Sequence, residues 1–197
     1  MLKQELFTYI VIACILFLCI KIYYESDAFQ LKCIISSVDG NRYCVRERAK
    51  MQLAADLLAK VTQKCKILVE YMKQKYPDDD RVKRLVKGFN PTKISETLPT
   101  SEFTAYSEDK GKKVAFCLDK TKPASQLIAL NTLTFIALHE LSHITTKTWQ
   151  HKREFWENFK FVLINAVDIG IYEPVDYKKK PEPYCGMDIT DNPYFDL

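Results

Sequence analysis

The chain has 197 residues and a formal net charge of +4, with 27% charged and 12% aromatic residues. These are the proportions of an ordinary globular protein and exclude wholesale disorder. The positive balance is too mild to argue for a nucleic-acid partner.

Residues 6–20 carry no charge, and the apolar run resumes after Lys21 through Ile22, Tyr23 and Tyr24. Counted over residues 6–24 this is close to the roughly 20 residues that cross a bilayer as a helix. Lys21 can snorkel from near the helix end, and Tyr9, Tyr23 and Tyr24 suit the interfacial zones. No small-x-small cleavage site follows the run, which favours a retained anchor over a cleaved signal peptide. The sequence therefore predicts a single membrane span within residues 1–25 and one domain over residues 26–197. Lysines flank both sides of the span, so charge leaves the orientation open.

In the domain, residues 31–46 read as two short strands around Asp39-Gly40-Asn41. Cys33 and Cys44 flank that turn and either pair across it in an oxidising compartment or remain reduced, buried thiols. Apolar residues at three- and four-residue steps predict a helix over 46–75, stopped at Pro77. Asp78-Asp79-Asp80 is placed to cap a short basic helix over 81–87. Residues 101–119 read as a hairpin with Gly111 in its tip, and the lysines at 110–113 and 178–180 as solvated loops. After Pro123 a helix over 125–143 is apolar on nearly every face and belongs inside the domain. A second helix over 153–167 follows, and the Tyr- and Pro-rich tail from Gly170 reads as ordered surface loop.

The inner helix contains His139-Glu140-Leu141-Ser142-His143. Positions four apart share a helix face, so both imidazoles can point at one atom while Glu140, one step round, reaches a water on it. This is the HExxH arrangement of zinc hydrolases. The chain has three histidines, and the third, His151, follows His143 after residues 144–150. That loop allows the chain to fold back and supply a third ligand. Three protein ligands with a fourth position left open describe a catalytic zinc site; Glu154 or Glu157 is the substitute if His151 is not a ligand. No CxxC occurs, which excludes a cysteine-built zinc site of the usual spacing. Tyr172, Tyr177 and Tyr184 are candidate donors to a developing oxyanion, and Gly186-Met187 a candidate turn beneath the metal.

The segment 136–143, with His151 and then Phe155-Trp156, resembles the minimal zincins of the WLM and SprT-like type, over roughly residues 100–170. The resemblance implies an α+β zincin-like domain with a long HExxH helix and a small antiparallel sheet or hairpins. It implies Zn2+ on His139, His143 and His151, and peptide hydrolysis by a zinc-activated water with Glu140 as general base. Membrane-tethered forms occur among large DNA viruses of eukaryotes, which implies a single-pass protein of a host or virion membrane. Two departures stand out: the loop before the third histidine is longer than usual, and Lys152 replaces a frequent aspartate. The expected partners are a peptide or protein substrate and the lipid bilayer, with no nucleic acid. The alternative is a non-catalytic membrane or virion structural protein that uses zinc only for stability.

Overall fold

The computed structural model describes residues 2–26, 30–121 and 126–196. It is a mixed α+β structure with one N-terminal apolar helix, α1 (Leu2–Glu25). Within α1, Glu5–Tyr24 has a mean hydropathy of 2.4 and none of it is buried against the rest of the chain. In length and composition it can cross a membrane, a property that spans and signal sequences share.

Strands β1 (Lys32–Ile35) and β2 (Arg42–Val45) form the expected hairpin, with Cys33 directly opposite Cys44 and the two joined as a disulfide. Helix α2 (Met51–Lys75) packs its apolar stripe, including Leu58, Val61, Leu68 and Met72, into the core. It starts five residues later than the periodicity predicts, because residues 46–50 form a turn from which the side chains of Arg46 and Arg48 reach Glu96 and Asp119. Helix α3 (Asp80–Gly88) is capped as expected, the Asp79 carboxylate accepting from the backbone N–H of Arg81 at 2.8 Å. Strands β3 (Ile94–Glu96), β4 (Ala105–Glu108) and β5 (Lys113–Phe116) complete a five-stranded sheet in the order β1-β2-β3-β5-β4. β3 runs parallel to both β2 and β5, whereas β4 is antiparallel to β5 and forms one edge.

Helix α4 (Leu130–Thr145) is buried along most of its length, as its all-round apolar character requires. Pro123 and Ser125, where the sequence places its start, lie outside the described residues. Leu127 is not helical but forms a β-bridge with Asp119, so the helix begins at Leu130. Helix α5 (Arg153–Asp168) packs against α4 through Phe155, Phe159, Val162 and Leu163.

The tail departs from the expected surface loop. It forms a hairpin, β6 (Glu182–Tyr184) and β7 (Met187–Ile189), and a 3-10 turn at Pro193–Phe195. Tyr172, Tyr177 and Tyr184 are buried, and Cys185 is disulfide-bonded to Cys117 at the end of β5. The tail thus supplies core that the sequence attributes to the helices alone.

Two internal features hold these parts in register. Arg48 pairs with Glu96 and, at 2.8 Å, with Asp119; Arg46 lies 3.6 Å from Glu96 and donates to the Thr97 and Leu98 carbonyls. All four charged side chains are at most 9% exposed. Separately, α3 and the β4–β5 turn meet backbone to backbone, with the Ile144 side chain of α4 packed against both glycines. A Cβ on Gly111 would stand 2.5 Å from the Gly88 carbonyl oxygen, and one on Gly88 2.6 Å from Ile144. Gly111 also has φ +104°, which L side chains rarely adopt.

Candidate metal centre

His139 and His143 lie one turn apart on α4 and face the same way, as the i, i+4 spacing dictates. The loop after α4 then returns His151 to them. The three Nε2 atoms form a triangle with sides of 3.0, 3.1 and 3.3 Å. A tetrahedral ion with Zn–N lengths of about 2.0–2.1 Å holds neighbouring nitrogens roughly 3.3 Å apart, so the spacing fits a metal. The donor chemistry agrees. A neutral imidazole has one lone pair, and three converging nitrogens cannot satisfy one another by N–H···N bonds without leaving a donor or lone pair unmatched. A cation satisfies all three. The three histidines can therefore bind a metal.

Their surroundings keep them neutral. Burial, reinforced by the neighbouring imidazoles, pushes His139 down to about 3, and burial chiefly pushes His143 down to about 4. His151, more exposed, is lowered in the same direction by burial. Phe155 is fully buried and packs against all three rings, at centroid distances of 4.8, 4.4 and 4.6 Å. Trp156 donates its indole N–H to the His151 carbonyl at 3.1 Å. The Phe-Trp pair at the start of α5 thus fixes the orientation of the ligands.

Two residues hold the returning loop in place. Lys110, on the β4–β5 turn, donates to the carbonyls of His143, Thr146 and Thr148 at 3.1, 2.8 and 3.0 Å. The reading of Lys110 as a solvated loop lysine is corrected: its side chain clamps the end of α4 and the segment leading to His151. Glu154 accepts from the backbone N–H groups of Lys147 and Thr148 at 3.0 and 3.1 Å, so its carboxylate closes the same loop. Glu157 pairs with Arg153 at 2.7 Å. Neither acid takes the place of His151 in the cluster. Gln150, with φ 69°, makes the tight reversal that brings His151 round.

Glu140 lies on the wall of the cleft that contains the histidines and is 4% exposed. Burial pushes its carboxyl up to about 8, the range in which a group both takes and returns a proton near neutral pH. The cleft encloses about 580 Å³ and is mostly apolar, with Phe103, Tyr106, Trp149 and Trp156 among its walls. The edge strand β4 forms one side. Of the three tyrosines proposed as donors, Tyr184 lines the cleft, but its hydroxyl donates to the Thr104 carbonyl at 2.9 Å and braces β4. Tyr172 and Tyr177 pack against Phe135 on α4. Met187 is 54% exposed on the cleft rim rather than buried beneath the histidines.

No protein-family model matches the chain, and no solved structure matches it. It is 27% identical over 186 residues to Uncharacterized protein R325 of Acanthamoeba polyphaga mimivirus, covering 92% of this chain and 91% of that one. It is 29% identical over 75 residues to Uncharacterized protein 136R of Invertebrate iridescent virus 6, covering 38% of this chain and 41% of that protein. The chain is thus similar, over most of its length in the first case, to viral proteins.

Proposed function

We propose that this chain is a zinc-dependent metallopeptidase, anchored in a host or virion membrane by residues 1–25. The observation that carries the reading is the convergence of three neutral imidazoles within 3.3 Å of one another, beside a buried carboxyl and on an open apolar cleft. Three nitrogen donors at that spacing favour zinc among common divalent ions, and three protein ligands leave a position for substrate chemistry. The HExxH helix, the following aromatic pair and the edge strand over the cleft are all consistent with a zincin-like domain.

The chemistry zinc supplies when bound is Lewis-acid activation of water and of a carbonyl group. With zinc bound, Glu140 would take a proton from the activated water and return it to the leaving amine, a role that its place on the cleft wall with the three histidines allows. Strand β4, at the sheet edge, offers backbone groups with which an extended peptide can pair. The apolar walls exclude competing water and accept hydrophobic side chains.

Metal content and peptide cleavage, measured together on the purified full chain, test this. Glu140→Gln is expected to retain one zinc per chain and to lose cleavage by roughly 10²–10⁴-fold. Zinc with no cleavage in the unsubstituted chain would instead identify a structural site in a membrane or virion component.

A further inference from the structure

The end of α1 is tied to the loop that leads into β4, the strand that walls the cleft. Thr100 donates its hydroxyl to the Tyr24 carbonyl at 2.8 Å, and Gln30 donates to the Tyr23 carbonyl at 3.1 Å. Tyr24 is also the last residue of the apolar stretch. If α1 spans a membrane, Tyr23 and Tyr24 mark the lipid–water boundary, where aromatic rings with a polar tip concentrate. Thr100 is then at that boundary. Phe103, three residues on, is 66% exposed and forms part of the cleft wall, followed by Thr104, Ala105 and Tyr106. Six residues extend at most about 20 Å, so the cleft lining from 103 to 106 lies within that distance of the membrane surface.

The cleft also has a direction. Thr104 and Tyr184 meet at one end of β4, whereas Lys110, past the other end, lies 4.7 Å from the Trp149 ring. The Phe103 end is therefore the one next to α1, and the Trp149 end points away along β4.

We infer that the cleft opens at the membrane surface by its Phe103 end and takes polypeptides anchored in the same bilayer as α1, acting on their stalks close to the lipid. This names the substrate class of the proposed peptidase and rests on that reading and on α1 being a membrane span. A stalk in extended conformation covers roughly 20 Å in about six residues, which sets the reach.

The test uses the full chain in phosphatidylcholine vesicles. Phe103→Cys and Trp149→Cys are made separately, each with Cys14→Ala and Cys19→Ala, and labelled with an environment-sensitive fluorophore. The remaining cysteines do not compete, since four are in disulfides and Cys65 is buried. Lipids with a nitroxide headgroup are expected to quench the label at 103 at least about threefold more than at 149, because collisional quenching is confined to the interface. Equal quenching at both positions, or none at 103, overturns the inference whatever the activity. A second arm presents one peptide lipid-anchored through a spacer of about six or about thirty residues. Comparable cleavage of both supports the inference; cleavage of the long-spacer peptide alone overturns it. If nothing is cleaved, the peptidase reading fails, and the quenching contrast still decides where the cleft opens.

Discussion

The buried network of Arg46, Arg48, Glu96 and Asp119 holds two cationic and two anionic side chains, whereas the cleft gathers three neutral imidazoles and one carboxyl. In the network both carboxyls are raised, burial outweighing the opposing pull of the adjacent arginines. Its charges cancel within the protein, and what it stabilises is the joining of β2, β3 and the end of β5. In the cleft, the Nε2 atoms of three uncharged imidazoles are aligned on a common point. Both clusters cost desolvation. The two differ in what converges: opposite charges in the first, and in the second three nitrogen lone pairs on one point, an arrangement that can bind a metal.

The contrast can be broken most directly at His139. His139→Ala should lower zinc affinity by more than about 100-fold, beyond the 10–100-fold typical of losing an outer-shell partner, while leaving a folded chain. Metal analysis after dialysis reads this, and unchanged stoichiometry would remove the site as assigned. Next in size, Glu96→Ala leaves two buried arginines short of a partner and should cost about 3–5 kcal/mol, read as a fall in denaturation midpoint. If that variant were as stable as the parent, the network would not be structural. Lys110→Met removes a donor shared by three carbonyls and should cost about 1–3 kcal/mol. It should also weaken zinc binding without touching an imidazole, since Lys110 holds the carbonyl of His143 and not its ring. A loss of stability with zinc affinity intact would confine Lys110 to holding the loop.

The smallest effect is a pH slope. In the metal-free protein His139 and His143 have folded values of about 3 and about 4, below the 6.5 of a free histidine. Between those values and 6.5 the unfolded chain holds more protons on these two histidines, an excess that Glu140, raised to about 8, offsets by one proton, so metal-free stability should fall as the pH drops from 6.5 towards 4. Saturating zinc should add stability at neutral pH and lose that increment in the same range, as protons compete for the imidazoles. A profile still flat in Glu140→Gln, which removes the opposing carboxyl, would mean that the histidines are not held neutral by burial.

What could be read from the sequence was whatever repeats locally. The apolar run of α1, the period of α2, the aspartate cap of α3 and the His139–His143 spacing each lie within one element. His151 was accessible because the histidines are so few. Arg48 meets Glu96 and Asp119 across 48 and 71 positions, and no periodicity registers such a pairing. It pulled residues 46–50 out of the expected helix. Lys110 carries the composition of a loop tip, and its role becomes visible only once the end of α4 and the loop after it bring three carbonyls to its ammonium group. The tyrosines of the tail alternate with prolines and lysines, which looks like surface until Cys117 joins Cys185. That pairing is one of several open to the cysteines, and spacing alone does not choose among them.

The disulfide between Cys117 and Cys185 also changes what it means to sever the chain. Lys178 and Lys179 are exposed between buried Tyr177 and the β6–β7 hairpin. Trypsin cutting there would leave the terminal segment, with Tyr184 and its brace on β4, fastened to the body of the protein. Such a nicked molecule migrates as one piece until a reductant is added and as two afterwards.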